Sequence, residues 1–192
     1  MFPISMITGE PLWNSLPAAK IINYPLEKAD YKPYAQARIC ISNDDMHIQL
    51  LAFEVTPEEK STVGAAVAPF AAEDGGRRWF WLSTNRSGAM VCKFIDEITG
   101  NETDISKNVS VRIYTGEDEQ GVYWCSSFTL PLSLLEKFFG KSYLEPGHKM
   151  AGNFYKLCDG AKPHYGSYYP ADFTDPNPIS GRFFGEFELV LY

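Results

Sequence analysis

Alternation with a period of two runs through most of this chain, and it restricts the fold to β-structure. In Ala37-Arg38-Ile39-Cys40-Ile41-Ser42, apolar Ala37, Ile39 and Ile41 alternate with Arg38 and Ser42. That is a half-buried strand, whose successive side chains leave opposite faces. Asn43-Asp44-Asp45 supplies turn chemistry. Met46 to Val55 then resumes as a largely apolar, central strand, so the two runs read as a β-hairpin. Arg78 to Leu82 and Ala89 to Ile95 are further strands, separated by polar Ser83 to Gly88. Val109, Val111 and Ile113 alternate with Ser110, Arg112 and Tyr114. An acidic turn at Gly116 to Gly121 leads to Val122 to Thr129, with Val122, Trp124, Ser126 and Phe128 on one face, a second hairpin. Ala151 to Leu157 and Phe183 to Tyr192 complete the set. Glu58 to Gly76, rich in Ala, Gly and acidic residues, reads as a surface excursion with a short helical turn. Leu130 to Phe139 is the one helix, with Pro131 suited to its first turn and Gly140 to its stop. About eight or more short strands and one short helix make an all-β sandwich or barrel, with an antiparallel β-sandwich the expected form. With one composition and no internal repeat, residues 1–192 read as a single domain.

The formal charge of −7 excludes a nucleic-acid partner, whose phosphates demand a basic patch, and disfavours an acidic membrane surface. No stretch is long enough to span a bilayer. The first twenty residues carry no basic run followed by an apolar one, so no signal peptide is expected and the cytoplasm is the favoured compartment. Cys40, Cys92, Cys125 and Cys158 are widely spaced, without a Cys-x-x-Cys pair. They are expected to be free thiols acting as small core residues rather than zinc ligands. No cofactor is expected. Asp44, Asp45, Asp172 and Asp175 are the turn acids that could hold a structural Ca²⁺, with solvated turns the commoner outcome.

The informative segment is Met150 to Glu188, MAGNFYKLCDGAKPHYGSYYPADFTDPNPISGRFFGEFE. A strand carrying Asn153, Tyr155 and Lys156 runs into a long loop. That loop holds His164, Tyr165, Tyr168 and Tyr169 among Gly and Pro, and a final strand begins near Arg182. Long loops of this kind are usually functional. Aromatic faces stack on the apolar C–H faces of a pyranose, while amide and cationic groups bond its hydroxyls. Aromatic residues make up 15% of the chain, with eleven Tyr and four Trp. The expected site is therefore a shallow cleft between the Tyr165–Tyr169 loop and one Trp of the middle strands, Trp81 or Trp124.

The run GNFYK-x-C-D, then PHY-x-S-Y-x-P and FG-x-F, resembles the C-terminal signature of family 9-like carbohydrate-binding modules of the DOMON-like superfamily. Tyr168 stands where the family usually has Trp. The resemblance implies a jelly-roll-like β-sandwich, no catalytic residues and a mono- or oligosaccharide as partner. Two alternatives stay open. A glycoside-processing enzyme on a similar sandwich would draw on strand carboxylates such as Glu54, Glu186 and Glu188. A haem-binding DOMON-like electron-transfer domain would need axial ligands from Met90, Met150, His148 or His164.

Overall fold

A computed structural model describes residues 1–26 and 32–191. The chain opens with β1 (Phe2–Met6), β2 (Ala19–Ile21), β3 (Ala35–Ile41) and β4 (Asp45–Ala52). It continues through β5 (Ser61–Ala68), the short helix α1 (Ala71–Asp74), β6 (Arg78–Asn85), β7 (Met90–Asp96) and β8 (Asn101–Asp104). Then come β9 (Ser110–Asp118), β10 (Gly121–Pro131), helix α2 (Ser133–Phe139), β11 (Lys149–Cys158), β12 (His164–Ser167) and β13 (Gly185–Leu191). One curled sheet runs in the order β8-β7-β6-β5-β11-β13-β1-β3-β4-β10-β9, with β12 beside β11 and β2 beside β3.

The all-β reading holds, and both expected hairpins form, β3 with β4 and β9 with β10. β1 runs parallel to both β13 and β3, so the sheet is mixed rather than antiparallel throughout. Pro131 ends β10 instead of opening α2, and Gly140 closes the helix in the left-handed region at φ 72°. Part of the loop expected after Lys156 is strand, because β12 pairs with β11.

The reading of Glu58 to Gly76 as a surface excursion is corrected. It contains β5, a strand with seven of its eight residues buried. Alanine is depleted in strands, which hid it. Small side chains are required here because large ones crowd in from the neighbouring strand. Gly64 lies under the Trp81 indole, where a Cβ would overlap the ring.

The sheet has two faces with different fates. Its inner face encloses the main core, with Ile39, Ile48, Phe80, Phe128, Phe154 and Phe187 among its members. On the opposite face, over β5, β6, β7 and β11, lies a second apolar cluster around Trp79, Trp81, Ile95 and Tyr155. Phe173, Ile179, Phe183 and Phe184 from the 170–184 segment cover it. Among the described residues, the same face over β3, β4, β10 and β9 has no such apolar cover. All four cysteines are buried and free. Among the described residues no helix is long and apolar enough to cross a membrane.

Candidate functional site

The ten residues singled out in the sequence do not converge on one cleft. Asn153 is fully buried and works as a clamp. Its carbonyl accepts from the backbone N–H groups of Phe154 and Tyr169, and its amide donates to the carbonyls of Tyr169 and Phe183. Tyr168 and Tyr169 pack on the main core, and the Tyr169 hydroxyl donates to the Glu186 carbonyl. Trp81 and Tyr155 meet edge to face, with ring centroids 5.6 Å apart, inside the second cluster. Tyr165 lies 5.9 Å from the Phe173 ring, and Arg182 pairs with Asp175 at 3.0 Å. Trp124 is fully buried and donates its indole N–H to Glu54 at 3.1 Å. Of the two rings expected as a stacking platform, Trp81 is 7% exposed within the second cluster and Trp124 0% within the main core.

Lys156 and His164 belong to a buried polar knot. The Lys156 ammonium lies 3.2 Å from Glu54, donates to Ser61 and lies 2.8 Å from His164 Nε2. Burial pushes the Glu54 carboxyl upward, but the Lys156 charge and bonds from Trp124, Ser61 and Lys156 outweigh it and hold it below its ordinary value. Burial, then the Lys156 charge, depress His164. A cavity of about 480 Å³ lined by Phe53, Glu58 and Lys162 opens beside this knot.

A larger feature lies on the uncovered face. The registers of β3, β4, β10 and β9 align outward side chains in rows across the strands. One row reads Arg38, Gln49, Ser127, Arg112, and its neighbour reads Gln36, Leu51, Cys125, Tyr114. Two cavities of about 520 and 460 Å³ lie over these rows. They share Pro11, Trp13 and Tyr114, and so form one continuous groove. A 3-10 turn at Trp13–Ser15 builds its rim and leaves the Trp13 ring half-exposed.

The floor is organised by its own hydrogen bonds. Gln49 donates to the Tyr114 hydroxyl at 2.8 Å and accepts from Arg38 Nη1 at 3.4 Å. The Tyr34 hydroxyl donates to Gln36 at 3.1 Å. Tyr34, Phe53 and Tyr123 form a ladder with centroids 5.3 and 5.5 Å apart. Burial lifts the Tyr114 hydroxyl to about 12 and the Cys125 thiol to about 11, so both stay protonated at neutral pH. The groove thus offers neutral donors and acceptors, two guanidiniums, the carboxylates of Glu10, Asp45 and Asp118, and aromatic walls.

The residues of the alternative readings are otherwise engaged. Glu186 and Glu188 pair with Lys149 at 3.2 and 2.6 Å. Met150 is core, and His148 Nε2 lies 2.6 Å from the Pro69 carbonyl. Asp172 binds Thr174, and Asp175 binds Asn177 and Arg182. Among the described residues no group of three or more His, Cys, Asp or Glu could hold a metal ion.

No family model matches the chain, and no curated protein is significantly similar to it. Solved structures are. A candidate carbohydrate-binding protein from Bacteroides uniformis superposes with a TM-score of 0.73 at 18% identity, covering 98% of each chain. A family 9 carbohydrate-binding module from Caldicellulosiruptor kristjanssonii, in complex with glucose, gives 0.66 at 13% identity over 100% of this chain and 96% of its own. This chain has the fold of a family 9 carbohydrate-binding module. A family 9 module from the same organism in complex with cellotriose gives 0.63 at 13% identity, covering 99% and 94%. On this family 9 fold, the groove is lined by Arg38, Gln49, Arg112 and Tyr114, which the sequence did not single out. They occupy the outward half of alternating strands, and each looks like an ordinary solvated position until the strand registers bring the rows together.

Proposed function

We propose that the protein binds a mono- or oligosaccharide without chemically altering it, in the groove over β3, β4, β10 and β9. The observation that carries this reading is the groove itself, a concave, polar floor with aromatic walls on a family 9 fold. A sugar's hydroxyls exchange water for protein partners with only about 0.5–1.5 kcal/mol net gain per bond. Affinity then rests on covering a C–H face with an aromatic ring. Trp13 at the rim and Tyr114 on the floor supply such rings, and Gln36, Gln49 and Ser127 line the same groove to read hydroxyl positions. The structural neighbours in complex with glucose and cellotriose support the ligand class. The non-catalytic part is supported by Glu54, ionised and paired in the interior, and by Glu186 and Glu188, both tied to Lys149. This reading places the ligand away from Trp81, Trp124 and the Tyr165–Tyr169 loop, whose rings serve the cores.

Titration calorimetry with glucose and cellotriose tests it. Wild type is expected to bind one of them, or a related sugar, with Kd on the order of micromolar to millimolar. Trp13→Ala and Tyr114→Ala should weaken that binding at least tenfold while melting unchanged. Equal binding by both variants would refute this site.

A further inference from the structure

We propose that the groove is selective for an acidic saccharide, one carrying a carboxylate such as a uronic acid residue. This deepens the reading of the groove as a carbohydrate site and rests on it. The argument begins at Arg38. Its Nε is buried and has no hydrogen-bond partner among the described residues, and its only side-chain bond is the long one to Gln49. Burying a guanidinium donor without an acceptor is costly, and an anion is the partner that relieves the cost best. Arg112 occupies the other end of the same cross-strand row. Neither arginine is in an ion pair among the described residues. Three strand spacings separate them, about 14 Å at Cα, with Gln49 and Ser127 between.

The protein's own carboxylates share the groove with these arginines but pair with neither. Asp118 lines the same cavity as Arg38, and Asp45 the same cavity as Arg112, yet neither forms an ion pair with these arginines among the described residues. Glu10 is exposed and lines the same half of the groove as Asp45. His47, in the next row, contacts Ser42 and Thr129 at 3.2 and 3.4 Å. Each half of the groove thus holds one guanidinium with no carboxylate paired to it. A ligand carboxylate over the row meets the planar fork of a guanidinium, which matches it with two parallel bonds. A neutral sugar there would offer Arg38 hydroxyl acceptors but no opposite charge.

The test compares trigalacturonate with cellotriose by calorimetry at low salt and at 0.5 M NaCl, using wild type, Arg38→Gln and Arg112→Gln. The expected result is at least tenfold tighter binding of trigalacturonate, weakened by salt because the contact is ionic. Arg38→Gln should abolish that preference, bringing its affinities for trigalacturonate and cellotriose within twofold of one another. Equal affinity of wild type for the two trimers would overturn the acidic preference and leave the carbohydrate reading standing. An acidic preference that survives in both arginine variants would overturn it as well. No binding of either trimer, or of glucose, would overturn both.

Discussion

Replacing Lys156 by methionine isolates the buried polar knot. The substitution keeps most of the stem's volume and removes the charge. Lys156 and Glu54 have side-chain exposures of 0% and 2%, so neither charge has water to fall back on. Removing one partner of such a pair leaves the other buried and uncompensated, a loss of about 3–5 kcal/mol. For a chain of this length that is a drop in Tm of about 6–20 °C. The pH dependence carries the sharper signature. In wild type the Glu54 carboxyl is held below its ordinary value, so its contribution is fully present above that value and is lost as pH falls through its folded one. Without the Lys156 charge, burial dominates and lifts Glu54 above its unfolded value, so acid then favours the folded variant. The stability gap between wild type and Lys156→Met should therefore narrow between pH 7 and pH 4. Urea denaturation followed by tryptophan fluorescence at four pH values measures it. A loss under 1 kcal/mol at pH 7, or a gap independent of pH, would refute the reasoning.

His164 is held below its ordinary 6.5 by burial and by the Lys156 charge, so the folded protein refuses a proton that the unfolded chain accepts. Stability should fall as pH drops through about 6.5, and His164→Gln should flatten that slope in urea titrations between pH 7.5 and 5.5; an unaltered slope would contradict the assignment. Gly64→Ala should cost about 1–3 kcal/mol, since its methyl must displace the Trp81 ring; an unchanged urea midpoint would show that the ring yields freely. Asn153→Ala removes four hydrogen bonds to the backbone and should lower stability by about 2–4 kcal/mol, whereas a variant that loses sugar affinity at full stability would make Asn153 a ligand residue after all.

Elements with strong alternation were legible from the chain alone. β3, β4, β9 and β10 each pair a core-facing apolar series with polar partners, and turn residues mark their joins. β5 was not legible, because Ser-Thr-Val-Gly-Ala-Ala-Val-Ala is small on both faces and imitates a loop composition. β8 was missed for the opposite reason: Asn101–Asp104 is exposed throughout and has no apolar series to detect. The site was legible only in its parts. Arg38 and Arg112 are 74 positions apart in the chain, and only the registers through β4 and β10 put them in one row. The tyrosines of the 165–169 segment were ambiguous in the sequence, because an aromatic loop has the same composition whether its rings meet a ligand or pack on a core, as Tyr168 and Tyr169 do. Gly185 illustrates the latter, lying beneath the Tyr169 ring with no room for a Cβ.

The indole N–H resonances of the four tryptophans test the central claim most directly. Only Trp13 lines the groove, whereas Trp79, Trp81 and Trp124 are 0%, 7% and 0% exposed. A ¹⁵N–¹H titration with trigalacturonate and cellotriose should move the Trp13 indole signal, together with backbone signals of Arg38, Gln49 and Tyr114, and leave the other three indoles in place. Saturating shifts at Trp79, Trp81 or Trp124, or in the Tyr165–Tyr169 segment, with Trp13 unmoved would contradict the groove as the carbohydrate site.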